Sequence, residues 1–276
     1  PVINMGFWPG GDRDGNPFVT TGITLKVADA LRGGIIKCYY LDIRRLRRRL
    51  TFKGVDIILS ELETQLYDNI FIPGHRTSLT KKDILSSLNK IKEILIYNHN
   101  GLFLHLVNNL INKVQVFGLH FASLDIRQES SIHNTVLEEF ALQENVLPAD
   151  YATATMETKM DFFSNNEIAL PQQEYKSEIT NDTINTIKAI RLIKTYNGES
   201  GCNRYSISQC NCALNGMEVK GLYIVSGGKK EELKIEIMPW YETIEERKNA
   251  AARMKSWKEK KTYRQQRTRR KKRKKR

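Results

Sequence analysis

The apolar residues of this chain change their spacing near Val116, and that change restricts the available folds more than any other feature. Before it, apolar side chains recur every three or four positions: Tyr39, Ile43, Leu46 and Leu50; Ile58, Leu62, Leu66 and Ile70; Ile84, Leu88, Ile91 and Leu95; Leu106, Leu110 and Val114. Such spacing places one stripe of each helix against a core. Thr20 or Thr21 is the expected cap of the first helix and Thr80 of the third, because a threonine hydroxyl accepts from the free amides of a first turn. Gly33 and Gly34 are expected to bend or interrupt the first helix, since glycine weakens a helix interior. Residues 1–115 therefore read as mainly helical.

From Val116 to Arg127 a mostly apolar run of strand length ends on polar groups, the pattern of a buried parallel strand. A helix over 131–143 follows, then a polar stretch over 148–175 without clear period, then a helix carrying Ile184, Ile187 and Ile190 that stops near Gly198. Tyr205 to Cys210 reads as a short strand, Ala213 to Leu222 as a helix and Leu233 to Trp240 as another strand. This alternation over 116–256 implies right-handed crossovers and a parallel sheet. The expected fold class is α/β, mainly helical, and part of a (β/α)8 TIM-type barrel with many added helices. Thr243, followed three residues later by Glu246, forms a capping box that starts the last helix just after Glu242. Glu242 thus falls in the loop at the carboxyl end of a strand, where α/β barrels gather reacting groups.

Charge and cysteine usage narrow the function classes. The formal net charge of +13 is concentrated beyond Trp257, where 13 Lys or Arg residues face the single acid Glu259. Residues 1–256 are electrostatically ordinary, and 257–276 read as a basic tail without order, because like charges repel. An alternative function rests on that tail: a basic helical protein binding nucleic acid. Arg44, Arg45, Arg47, Arg48 and Arg49 end the first helix, where cations suit the dipole, and read as a solvated face. Cys38, Cys202, Cys210 and Cys212 lack the spacing of zinc or redox motifs and are expected as free thiols of a cytoplasmic protein. The chain opens on Pro1 rather than Met, with no secretion signal, and reads as an internal piece of a longer soluble protein.

The strongest local signal is Gly10-Gly11-Asp12-Arg13-Asp14-Gly15-Asn16-Pro17. Glycines leave backbone amides accessible, and an arginine flanked by two aspartates can be held rigidly with donors left over for a phosphate or carboxylate. A turn with a surface ion pair is the simpler alternative. A calcium loop fits less well, since Pro17 follows Asn16 where that pattern needs glycine.

Three segments in one order carry a family resemblance. Gly10 to Pro17 resembles the GGDRDGNP element of phosphoenolpyruvate carboxylases. Phe117-Gly118-Leu119, with Leu124-Asp125-Ile126-Arg127-Gln128-Glu129-Ser130, resembles their FGL and DIRQES strand, and Ile237 to Thr243 resembles their PLFET strand. Tyr205-Ser206-Ile207-Ser208 is similar to a further strand of the family, and Lys261 to Arg264 to the sequence after its next helix. The resemblance implies carboxylation of phosphoenolpyruvate by bicarbonate to oxaloacetate and phosphate, replenishing the tricarboxylic acid cycle, in a cytoplasmic tetramer. Phosphoryl transfer would give carboxyphosphate and a metal-stabilised enolate that attacks carbon dioxide. It also implies Arg13 as a ligand of the substrate phosphate, Arg127 as a further candidate catalytic residue, and Glu242 as a ligand of Mg2+ or Mn2+. The bland role for Arg127 is pairing with Asp125, Glu129 or another acid beneath the site.

The chain also departs from the pattern. Trp240 and Tyr241 stand where the family has leucine and phenylalanine, and Pro9 precedes the double glycine. The family's TAHPT histidine motif, its second metal-binding aspartate with a lysine, and its bicarbonate loop have no counterpart in this sequence. None of His75, His99, His105, His120 and His133 takes the missing role. The chain alone is therefore expected to lack carboxylation.

Overall fold

A computed structural model describes residues 4–72, 79–143, 147, 150–165, 175–226 and 234–273. The chain divides into two compact units. The first comprises 1–11, 19–125 and 189–203, and the second 12–18, 126–188 and 204–276.

The first unit is built on four helices: α1 (Thr21–Arg47), α2 (Val55–Phe71), α3 (Lys81–Asn98) and α4 (Leu104–Phe117). Thr20 caps α1 by accepting from the Ile23 amide, and Thr80 with Asp83 closes a reciprocal box on α3. On α3, Ile84, Leu88, Ile91 and Leu95 are buried as their spacing requires, each contributing about 1.5–3 kcal/mol. The core also takes Ile36, Tyr39 and Ile43 from α1, Leu59, Leu62 and Leu66 from α2, and Val107, Leu110 and Val114 from α4. Gly33 and Gly34 do not interrupt α1, which runs on through both. The burial of its long face outweighs the propensity cost of about 1 kcal/mol per glycine.

Buried Arg32 ties this unit together. Its guanidinium donates to the Asn69 Oδ1 at 3.2 Å, the Leu79 carbonyl at 3.4 Å and the Tyr196 carbonyl. One α1 side chain thereby satisfies acceptors on α2, on the start of α3 and at the end of α7 (Glu178–Asn197).

The expected strand from Val116 is corrected. Val116 and Phe117 complete α4, and Gly118, at φ 54°, ends it with its amide on the Val114 carbonyl at 3.0 Å. That left-handed backbone favours glycine. The strand β2 begins later and spans Ser123–Glu129. The run is mostly apolar because it joins the last turn of α4 to a buried strand. β1 (Gly6–Phe7) pairs parallel with β2, Gly6 opposite Ser123.

The second unit contains α5 (Ser130–Gln143), α6 (Met156–Asn165), β3 (Arg204–Ser208), α8 (Leu214–Val225), β4 (Glu236–Pro239) and α9 (Ile244–Arg273). β3 and β4 are parallel, Tyr205 opposite Ile237, and the strand order is β1-β2-β3-β4. The alternating strands and helices read from the sequence are thus present as a mainly helical α/β fold. α6 falls inside the stretch read as polar and aperiodic. Its buried face has only two apolar residues, Met160 and Phe163, too few for periodicity to register. Gly221 of α8 makes room for it: a Cβ there would lie 2.4 Å from the Phe163 ring. α9 takes in most of the basic end, and it is held to α6 where the Trp257 indole donates to Asp161 at 3.0 Å and Lys260 to Glu157 at 2.6 Å.

Candidate active site

The glycine-rich loop is built by close approach. A Cβ on Gly11 would sit 2.1 Å from the Asp125 carbonyl, and one on Gly10 would sit 2.5 Å from the Val27 side chain. Only glycine lets this backbone lie against β2 and α1. The Thr24 hydroxyl donates to the Gly10 carbonyl at 2.7 Å. Beyond Gly11 the chain forms a parallel bridge between Asp12 and Arg127, and the Arg13 amide donates to the Arg127 carbonyl at 2.9 Å.

Two motifs far apart in sequence therefore meet. The Arg127 guanidinium lies 3.3 Å from Asp12 and 2.8 Å from Asp14. The expectation that the flanking aspartates hold Arg13 is corrected: they hold Arg127, for which the sequence offers Asp125, Glu129 or another acid. Arg13 reaches elsewhere. Its Nη2 pairs with Asp182 and its Nη1 donates to the Thr186 hydroxyl at 2.7 Å, both on α7. Its side chain is 8% exposed. Burial lowers the Arg13 pKa, opposed by the nearby Tyr205, yet a guanidinium stays charged.

The carboxyl ends of β2, β3 and β4 are tied in turn. The Ser130 hydroxyl, one residue past β2, donates to the Gln209 carbonyl at 2.8 Å. Past β3, the Cys210 amide donates to the Trp240 carbonyl at 3.0 Å, while the Trp240 amide donates to Ile207 at 2.8 Å. Glu242 follows two residues later, solvent-exposed, immediately before the Thr243–Glu246 box. That box is present in both directions, at 3.0 and 3.1 Å. Arg13 and Arg127 are joined through the backbone at 2.9 Å while their guanidiniums take different partners, and Glu242 follows β4 two residues past Trp240.

Behind this edge lies a buried polar pair. His133 Nε2 is 2.9 Å from the Tyr205 hydroxyl, and burial takes the histidine pKa down to about 3 and pushes the tyrosine up. His133 is thus a neutral core residue. His120 is half-buried against the Asn197 carbonyl, His99 stacks on Phe52, His105 is exposed, and His75 lies outside the described residues. All four cysteines are free, Cys38 exposed and the others buried.

Sequence reasoning missed Asp182 and Thr186. Their only signal is position, one helical turn apart on one face of α7. Glu242 presents one exposed carboxylate, the hard-oxygen donor type that divalent cations take. Among the described residues, no cluster of three or more His, Cys, Asp or Glu gathers around a common cation position. Nor is any helix among them long and apolar enough to cross a membrane.

Comparison with known proteins adds an independent finding. The family model described as Phosphoenolpyruvate carboxylase matches residues 1–71 and 67–275. Curated proteins named phosphoenolpyruvate carboxylase are similar along most of the chain. The one from Synechocystis sp. is 28% identical over 91% of this chain, and that from Trichormus variabilis 25% over 95%. The one from Psychromonas ingrahamii is 25% identical over 92%. The chain spans about 30% of the length of these relatives. With its two distant motifs joined at one sheet edge and the family model covering nearly its whole length, the chain belongs to the phosphoenolpyruvate carboxylase family.

Proposed function

We propose that this chain contributes part of the active site of a phosphoenolpyruvate carboxylase, the enzyme that adds bicarbonate to phosphoenolpyruvate and releases oxaloacetate and phosphate. The observation that carries this reading is the bridge between Asp12 and Arg127, which seats the glycine-rich loop on the strand bearing the second family motif. The sheet is part of a (β/α)8 barrel in the complete enzyme, a cytoplasmic homotetramer.

Each residue has a role that follows from its surroundings. Arg13 binds the substrate phosphate: Asp182 and Thr186 take two of its five N–H groups and fix its plane, leaving three donors. Arg127, joined to it through the backbone, fixes the loop through Asp12 and Asp14 and adds positive charge where a phosphoryl group departs. Glu242 holds Mg2+ or Mn2+ from the loop past β4. When bound, the ion supplies Lewis-acid stabilisation of negative charge developing on a substrate oxygen. Two strand spacings separate β2 from β4, about 10 Å, a span that a phosphorylated three-carbon acid and a cation bridge.

A chimera tests this reading. Residues 1–256 replace the matching segment of the Synechocystis enzyme, and oxaloacetate formation is followed with a coupled dehydrogenase. We expect carboxylation that falls at least 100-fold in Arg13→Ala and Glu242→Ala, while the 276-residue chain alone is inactive. A folded tetrameric chimera without activity, or one indifferent to Glu242→Ala, overturns the assignment.

A further inference from the structure

The arginine cluster at the end of α1, read from sequence as a solvated face, lines a cavity of about 460 Å3. That volume suits a small molecule. Arg45, Arg48 and Arg49 supply one wall, and Lys113 and Asn109 of α4 the other. Leu46, Leu106 and Leu110 give an apolar floor. Among the described residues, Asp42 is the one acid that lines it.

How these charges are partnered decides what the cavity can take. Arg44 and Arg47 share the single carboxylate of Glu63 on α2. Asp42 bridges Arg45 at 3.2 Å and Lys113 at 2.8 Å, holding one cation of each wall in place. Among the described residues, no carboxylate lies within ion-pair range of Arg48 or Arg49. The cavity thus has four cations against one anion, two of them already positioned and two uncompensated. The carbonyl end of α1 disfavours an anion there, but its charge is fractional against a net excess of three. Paired guanidiniums match the oxygens of a phosphate.

We infer that this cavity is a binding site for phosphorylated small molecules, with Arg48 and Arg49 as the main phosphate ligands and the leucine floor beneath the organic part. The site lies wholly within the first unit and does not depend on the proposed carboxylation.

Inorganic pyrophosphate is the probe, titrated calorimetrically into the full 276-residue chain at low ionic strength. Because the basic end is itself an anion trap, two double variants are compared: Arg48→Ala/Arg49→Ala, and Arg267→Ala/Arg269→Ala. Both pairs are replaced on the full chain, and unchanged helical circular dichroism confirms folding. The inference predicts one saturable site, weakened about tenfold or more by the first pair and less than twofold by the second. Unsaturable binding, a loss that follows the second pair, or an affinity indifferent to Arg48 and Arg49 overturns it. A loss that follows the second pair instead assigns anion binding to the basic end, the behaviour of a nucleic-acid-binding segment.

Discussion

The Arg127 guanidinium meets Asp14 at 2.8 Å, across more than a hundred residues of sequence, and so fastens the glycine-rich loop to β2. Both side chains are partly exposed, at 30% and 19%, so solvent screening limits the pair to about 1 kcal/mol. Arg127→Met is expected to lower global stability by no more than that. Its local effect is larger: hydrogen exchange at the Arg13 and Asn16 amides should accelerate while α3 amides are unchanged.

Asp182 is a different case, because its partner Arg13 is buried. Removing one member of such a pair strands the other charge, at a cost of about 3–5 kcal/mol. We expect Asp182→Ala to show a loss of that order in urea unfolding. Replacing both residues, Arg13→Met with Asp182→Leu, should restore most of it, since an apolar pair leaves no stranded charge.

Arg32 should behave as a structural rivet of the first unit. Asn69, Leu79 and Tyr196, which accept from it, belong to separate segments, and Arg32→Ala removes their donor. The expected cost is about 2–4 kcal/mol. Lysine should recover less than half, since it lacks the planar fork. Denaturant midpoints of the three proteins check the order.

Glu218 gives the second unit a pH dependence. It is 1% exposed, and burial raises its pKa to about 7, with Asn215 and Lys159 opposing the shift and Glu138 adding to it. The folded pKa lies above the unfolded value of about 4.3. Its stabilising contribution is therefore complete below about pH 4 and is lost as pH rises to 7, a change on the order of 3 kcal/mol. Glu218→Gln should stabilise the protein at pH 8 and make little difference at pH 4, read as thermal midpoints at both values. An equal effect at both would show that the carboxyl does not titrate in this range.

What could be read beforehand was what local sequence determines. The caps at Thr20, Thr80 and Thr243 depend on groups three residues away, and the α3 stripe on spacing alone; each is present. What escaped depends on distant partners. α6 forms because Gly221, 58 residues beyond Phe163, leaves a space for its ring. Adjacency placed Asp12 and Asp14 around Arg13, but the folded chain turned them to Arg127 and sent Arg13 to α7. The family motifs marked which residues matter, and the fold decided which of them touch.

The central claim is that Arg13 and Glu242 serve one cation and one phosphorylated substrate. Paramagnetic broadening by Mn2+ in the presence of phosphoenolpyruvate measures this directly on the active chimera, with arginine side chains isotopically labelled. The account predicts that the Arg13 and Arg127 guanidinium signals broaden selectively and recover in Glu242→Ala. Broadening that spares Arg13, or that persists without the Glu242 carboxylate, would contradict it.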